Sequence, residues 1–127
     1  MAPATIDLRS DTATQPCAAM RQAGIMASAG IHALEHNVPR LAEDHANALY
    51  LAQGLAQIPG LAVRMPQTNI VYVDVPPQCC LELAAALQEN GIVASVSAHM
   101  RLVTHRDVTH PDVAQVIGVF ARSLAAD

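Results

Sequence analysis

Two histidines and a glutamate form the pattern His-x-x-Glu-His at His32, Glu35 and His36. Residues four apart share one face of a helix, so both imidazoles could reach one zinc ion with Glu35 as general base. A zinc site needs a further protein ligand, and nothing in the context of Glu82 or Glu89 singles either out. A small zinc hydrolase is therefore an alternative to the simpler interpretation of two partly exposed histidines on a helix surface.

Arg101 and Ser10 are candidates for binding a carboxylate. Arg101 stands at the start of the apolar run Met100–His105, and a guanidinium can hold a carboxylate through two parallel hydrogen bonds. Ser10 could add a hydroxyl to the same anion. From spacing alone, an arginine that extends into solvent from an edge strand is the simpler interpretation.

The sequence contains no lysine, because all seven residues in the combined lysine and arginine count are arginines. A guanidinium stays protonated, whereas a desolvated lysine amine can lose its proton and attack a carbonyl group. These 127 residues therefore cannot form a side-chain Schiff base.

Charge and cysteine usage narrow the class of protein. The net charge is −4 and the arginines are dispersed, which argues against a nucleic-acid partner because such binding needs a concentrated basic face. No apolar run reaches membrane-spanning length, and the N-terminus lacks the pattern of a secretory signal.

The adjacent Cys79 and Cys80 suit neither a disulfide framework nor a metal site, so buried, unreactive thiols in a reducing cytoplasm are predicted.

The hydrophobic pattern predicts one α+β domain. An extended arm covers 1–17; predicted helices cover 18–37, 40–58, 79–90 and 111–125, and predicted strands cover 61–64, 69–75, 92–96 and 100–105. The apolar positions of the second helix, which follow the helical period, are Leu41, Leu49, Ala52, Leu55 and Ile58. This order favours a small, mostly antiparallel sheet with helices packed on one face.

Several segments resemble the low-specificity L-threonine aldolases, in the order that this family has them. The first is Ile6-Asp7-Leu8-Arg9-Ser10-Asp11-Thr12. A second block runs from Met20-Arg21-Gln22 through Ala33-Leu34-Glu35-His36 to Arg40-Leu41-Ala42-Glu43-Asp44-His45. Thr68-Asn69-Ile70-Val71 and Arg101-Leu102-Val103-Thr104-His105 resemble the family's C-terminal domain, so the likeness spans nearly the whole chain.

The resemblance implies a fold and a chemistry. Members of the family are pyridoxal-phosphate lyases of the aspartate-aminotransferase fold type, called fold type I, and split L-threonine or L-allo-threonine into glycine and acetaldehyde. By this resemblance Ser10 and Arg101 correspond to contacts with the carboxylate of the small amino-acid substrate. Arg21 corresponds to a residue near the cofactor phosphate. The stretch from His32 to His36 matches an ordinary family helix, which weakens the zinc alternative.

The resemblance also implies that a part of the family's fold is missing. A large domain with the ring-stacking histidine, the aspartate facing the pyridine nitrogen and the Schiff-base lysine should lie between the matched blocks, which here meet near Met20-Arg21. The expected organisation is an arm over 1–20 joined by an internal deletion to a C-terminal small domain over 21–127. No catalytic residue, metal ligand or covalently bound pyridoxal phosphate is expected, and the chain alone is predicted to be inactive. Self-association, or docking as a non-catalytic module on a full-length aldolase, is the alternative.

Overall fold

The computed structural model of the protein describes residues 5–10 and 26–125. In chain order the described elements are β1 (Ile6–Asp7), α1 (Met26–His36), a first 3-10 turn (Val38–Arg40), α2 (Leu41–Ala56), β2 (Ala62–Arg64), β3 (Ile70–Asp74), a second 3-10 turn (Pro77–Cys79), α3 (Cys80–Glu89), β4 (Ile92–Val93), β5 (His99–Val103) and α4 (His110–Leu124). No helix in the described ranges combines the length and the apolar character that a membrane crossing requires.

The strands form two small sheets. Strands β2, β3 and β5 make an antiparallel sheet in that order, and β1 pairs in parallel with β4. Val71 and Val73 of β3 and Leu102 of β5 are buried with the helices, whereas Tyr72 and Arg101 are exposed on the opposite face. The predicted α+β class, with helices on one face of an antiparallel sheet, is confirmed.

The core is aliphatic except for Phe120, and helices α2, α3 and α4 all contribute to it. Helices α2 and α4 approach closely at Gly54, where a Cβ atom would collide with the side chain of Ile117. Any larger residue at position 54 would force the side chain of Ile117 to move. The approach packs the Ala-rich α2 directly against α4.

The ends of the helices follow the local sequence. Thr109 and Asp112 form a reciprocal capping box at the start of α4, which satisfies backbone donors that the helix leaves unpaired. Gly91 follows α3 with a φ of 70°, a left-handed conformation that favours glycine and is typical of the end of a helix.

Three predicted features differ from the structure. Leu41 and Leu49 are exposed, because the buried face of α2 instead uses Asp44, Asn47 and Ala48 with the leucines of its second half. The strand predicted over 92–96 shortens to Ile92–Val93, since only these residues pair with β1. The second helix, predicted over 40–58, begins at Leu41 because a 3-10 turn over Val38–Arg40 precedes it; Pro39 lies in this turn, where its missing N–H costs nothing.

Candidate functional site

The N-terminal arm docks into the domain as a strand between the two sheets. The N–H groups of Ile6 and Leu8 donate to the carbonyls of Gly91 and Val93, over 3.1 and 3.0 Å. The carbonyl of Leu8 accepts from the N–H of Val103, at 2.9 Å, so the arm joins β4 to the end of β5. The side chains of Ile6 and Leu8 are buried, which adds an apolar anchor to these hydrogen bonds.

This docking places the arm beside Arg101, the predicted carboxylate-binding residue. The Nη2 atom of Arg101 donates to the carbonyl of Arg9 over 3.4 Å, and Ser10 is the next residue along the arm. Arg9 itself is turned toward Asp7, with Nε–Oδ1 and Nη2–Oδ2 distances of 3.0 and 2.7 Å. The structure therefore brings the backbone next to Ser10 to the exposed guanidinium of Arg101.

The surface around Arg101 is open and carries a second arginine. Tyr72 lies opposite Arg101 on the neighbouring strand, and the guanidinium carbon of Arg64 lies 5.9 Å from the centre of the Tyr72 ring. Arg64, Tyr72 and Arg101 are exposed side chains on the sheet face away from the helices. Guanidinium groups offer fixed pairs of N–H donors to a carboxylate, so this face suits a small anion.

Behind this face, a group of buried polar contacts fixes the segment that follows β5. The hydroxyl of Thr104 donates to the carbonyl of Asp44 on α2 at 2.7 Å. The amide Nδ2 of Asn69 donates to the carbonyl of Thr104 at 2.8 Å. We call Asp44, Asn69, Thr104 and His105 the polar clamp, since together they connect α2, the start of β3 and the arm.

His105 is the member of the polar clamp that holds the arm. Its Nε2 atom lies 2.6 Å from the carbonyl of Asp7, and its Nδ1 atom accepts from the N–H of Asp107 at 3.3 Å. A carbonyl oxygen can only accept, so the imidazole carries its proton on Nε2. His105 is buried, and its two contacts hold the ring in one orientation.

Two carboxyl groups in this region have shifted pKa values, in opposite directions. Hydrogen bonds from the Arg9 side chain hold the pKa of Asp7 below its ordinary value of 3.8. Burial raises the pKa of Asp44 above the same ordinary value, and the nearby Arg40 only partly offsets it. The charge on Asp7 is therefore stabilised by Arg9 within the arm, whereas the charge on Asp44 carries a desolvation cost.

We expect Asp44→Asn to raise the free energy of unfolding at neutral pH. Between 3.8 and the raised pKa, the folded chain binds a proton at Asp44 that the unfolded chain has released. The natural chain therefore gains stability from this site as the pH falls through that window, and the Asp44→Asn variant does not. Urea unfolding of both proteins from pH 7 to 4 should show a difference that shrinks toward pH 4. Both proteins contain Asp7, so its lowered pKa affects both unfolding free energies equally and does not change their difference. A difference that is constant or grows on acidification would contradict the assignment.

The other predicted site residues have different outcomes. Arg21 lies outside the described residues. The rings of His32 and His36 stack with centroids 4.3 Å apart, and Nδ1 of His36 lies 3.0 Å from the carbonyl of His32. Within residues 5–10 and 26–125, no group of three or more His, Cys, Asp or Glu residues could hold a metal ion.

The two adjacent cysteines are half-buried, where fully buried thiols were predicted. Cys79 and Cys80 are free thiols that pack against the hydrophobic core, and Sγ of Cys80 lies 3.6 Å from the carbonyl of Pro76. Cys79 ends the second 3-10 turn and Cys80 starts α3, and both remain partly exposed at this end of the helix.

Sequence reasoning missed the polar clamp. Asn69, Thr104 and Asp44 lie far apart in the chain, and no local pattern indicates that they meet. The signal that could have indicated the cluster is that each of these three residues belongs to a segment that resembles the same family. The four segments around Leu8, Asp44, Asn69 and Thr104 converge at this one place in the fold.

Comparisons with known proteins identify relatives of this chain. The family model described as beta-eliminating lyase matches residues 18–77. The chain is 39% identical over 106 residues to the low specificity L-threonine aldolase of Escherichia coli K12, covering 84% of this chain and 32% of that protein. It is 34% identical over 112 residues to low-specificity L-threonine aldolase 1 of Arabidopsis thaliana, covering 83% and 31%. The chain thus spans about a third of the length of the curated relatives it matches.

Solved structures show the same fold at lower identity. An ornithine aminotransferase from Toxoplasma gondii superposes with a TM-score of 0.53 at 19% identity, over 78% of this chain and 26% of that one. An aminotransferase from Escherichia coli gives a TM-score of 0.50 at 19% identity, over 68% and 24%. These likenesses place the fold with part of the fold-type I aminotransferases.

Proposed function

Because the chain is a relative of the low-specificity L-threonine aldolases, we propose that it is the carboxylate-binding small domain of such a protein, joined directly to its N-terminal arm. Residues 1–20 are the arm and 21–127 the small domain, with no cofactor domain between them. One observation supports this organisation above all: the arm pairs with β4 and β5 and brings the backbone next to Ser10 to Arg101. In this arrangement the substrate-binding part of the site persists without the part that carries the reaction.

The carboxylate site works by preorganisation. Arg101 extends from a paired strand, and its contact with the carbonyl of Arg9 limits the positions that the guanidinium can take. A carboxylate bound there would accept two hydrogen bonds from one rigid fork, with the Ser10 hydroxyl as a further donor. Solvent screens an exposed pair of this kind, so binding of an isolated small amino acid is weak, in the millimolar range on the order of −4 kcal/mol.

The family's cofactor, pyridoxal phosphate, does not fit the residues present as a covalently held group. Such attachment needs a lysine amine, and the 127 residues contain none. Arg21, the one residue expected near the cofactor phosphate, lies outside the described residues. We therefore derive no reaction step for this chain and propose that it does not cleave threonine alone.

We expect the purified chain to show no internal-aldimine absorbance with pyridoxal phosphate and to release no acetaldehyde from L-threonine. The physical reason is the absent amine, since arginine stays protonated and cannot form the Schiff base. Absorbance spectra and a coupled acetaldehyde assay test both points. A full-length aldolase from the same expression host, assayed in parallel, is the positive control. Turnover by the pure chain would overturn the proposal that it is inactive.

The carboxylate site is tested separately, by titration of the labelled chain with acetate and then glycine, followed by NMR. Amide shifts are expected at Ser10 and Arg101, and they should be lost in Arg101→Gln. Arg122→Gln is the matched control, because Arg122 is an exposed arginine at the end of α4. Ethylamine, which has no carboxylate, should cause no shifts at these residues. Equal shifts in the natural chain and Arg101→Gln would refute the site.

A further inference from the structure

We propose that the exposed face of the antiparallel sheet binds dicarboxylates, with one carboxylate on Arg101 and the other on Arg64, on the far side of the Tyr72 ring. The inference rests on the proposed function, because Arg101 is the same carboxylate-binding residue, and it adds the class of anion that the site prefers. We call Arg64, Tyr72 and Arg101 the arginine row.

The register of the sheet places the arginine row on one line across its strands. Tyr72 of β3 pairs with Arg64 of β2 on one side and with Arg101 of β5 on the other. Directly paired residues project from the same face, and neighbouring strands lie about 4.8 Å apart, so the two arginine backbones are roughly 10 Å apart. The two guanidinium groups therefore belong to positions that flank one aromatic ring.

The arginine row is accessible to a ligand. Both arginine side chains are exposed, and Tyr72 is 47% exposed although it belongs to the central strand of the sheet. Val71 and Val73, the neighbours of Tyr72 along β3, are fully buried on the opposite face. The helices pack against that opposite face, so an anion can approach the row from solvent.

The positive charges of the arginine row are not compensated by the protein. Within residues 5–10 and 26–125, neither of its guanidinium groups forms an ion pair, whereas Arg9 pairs with Asp7 at 2.7 Å. Asp74 follows two residues after Tyr72 on β3, and its Oδ1 atom lies 2.7 Å from Nδ1 of His99. A dicarboxylate would supply the two missing negative charges in one molecule.

Both guanidinium groups are held in position before a ligand binds. The guanidinium carbon of Arg64 lies 5.9 Å from the centre of the Tyr72 ring, in a cation–π contact. Nη2 of Arg101 donates to the carbonyl of Arg9 at 3.4 Å. Each contact leaves N–H donors for a carboxylate. Because both groups are held, we expect the row to select anions by the separation of their two charges.

Three anions measure this preference on the labelled natural chain, followed by NMR at constant ionic strength and a pH of about 7.5, where carboxyl groups are ionised. Glutarate has two carboxylates, pentanoate has the same carbon chain with one, and malonate has two that are much closer together. Glutarate should bind about three- to tenfold more tightly than pentanoate, because the second ion pair forms within one bound molecule. Malonate should lack this advantage, since it is too short to reach both arginines.

Variants test whether the arginine row causes the preference. In Arg64→Gln, glutarate and pentanoate should bind with a Kd ratio of about one. Arg122→Gln removes the same charge from an exposed position on α4 and should keep the preference. Tyr72→Ala should reduce it about two- to fivefold, because Arg64 loses its contact, whereas Tyr72→Phe keeps the ring and should retain it. Each ratio compares two anions on one protein, so a partly unfolded variant does not alter it.

Each outcome decides the inference, and does so separately from the proposed function. A preference for glutarate that is lost in Arg64→Gln and kept in Arg122→Gln supports it. A preference below about twofold, or one that malonate shares or that survives Arg64→Gln, overturns it and leaves carboxylate binding at Arg101 in place. If acetate and pentanoate cause no shifts at Arg101, the proposed function fails. The inference is then supported only if glutarate still binds through both arginines, and it is overturned if glutarate causes no shifts either.

Discussion

Leu8→Ala is expected to lower the free energy of unfolding by about 2–5 kcal/mol, although Leu8 belongs to a docked arm of which only six residues are described. The Leu8 side chain is fully buried, and its N–H and carbonyl both form hydrogen bonds, with Val93 and Val103. Truncation leaves a cavity where β4, β5 and the arm meet. The same truncation in a terminal segment that detaches freely would lower the free energy of unfolding far less. The size of the loss therefore measures how firmly the arm is bound to the domain.

Urea unfolding of the Leu8→Ala variant measures this loss, with Leu81→Ala as control. Leu81 is almost fully exposed, so its truncation should change stability by less than about 0.5 kcal/mol. Hydrogen exchange at the Val103 amide identifies the cause, because that N–H donates to Leu8. It should exchange faster in Leu8→Ala than global unfolding requires. Equal losses in the two variants would show that the arm is not part of the cooperative unit.

The arm also shows what the sequence alone can predict. The alternation of Ile6 and Leu8 with polar neighbours indicates an extended segment with one buried side, and this is confirmed. Periodicity contains no information about the partner of that segment. Its pairing with Val93 and Val103 joins residues about ninety positions apart, and only the folded chain shows it.

Helix α2 shows why the apolar pattern predicted only part of the buried face: Ala52, Leu55 and Ile58 are buried as predicted, whereas Leu41 and Leu49 are exposed. Asp44 and Asn47 are buried because backbone and side-chain contacts at these positions tie α2 to the segment after β5. The amide of Asn47 donates to the carbonyl of Val108, and the carbonyl of Asp44 accepts from Thr104. A prediction that assigns every polar residue to the solvent-exposed side therefore leaves Asp44 and Asn47 out of the buried face. Buried polar groups become predictable only when their partners are known.

For the candidate site, too, one part could be predicted from the sequence and another part could not. The resemblance selected Ser10 and Arg101, and the structure brings their segments together through the carbonyl of Arg9. The roles of these two residues in binding a carboxylate remain predictions. The side-chain contact that His105 of the polar clamp makes with the carbonyl of Asp7 could not be predicted, because the members of the clamp have ordinary local sequences.

His105→Ala is expected to cost about 1–3 kcal/mol from the unpaired backbone carbonyl of Asp7, in addition to the packing of the lost ring. His105 is buried, and its Nε2–H donates to that carbonyl over 2.6 Å, so the imidazole connects the domain to the arm. His105→Gln should retain part of this stability, because the glutamine Nε2 lies the same number of bonds from the backbone. Urea unfolding of both variants and of the natural chain measures these losses.

The same pair of variants connects the stability of the arm to the carboxylate site. If His105 positions the arm, acetate should shift the Ser10 amide less in His105→Ala than in the natural chain, and His105→Gln should recover the shift. The shift at Arg101 should change less, since β3 holds the strand of Arg101 independently of the arm. A purely structural role would lower the unfolding free energy and leave both shifts unchanged in the folded population. Equal destabilisation by alanine and glutamine would show that the ring contributes by packing alone, and the assigned hydrogen bond to Asp7 would be refuted.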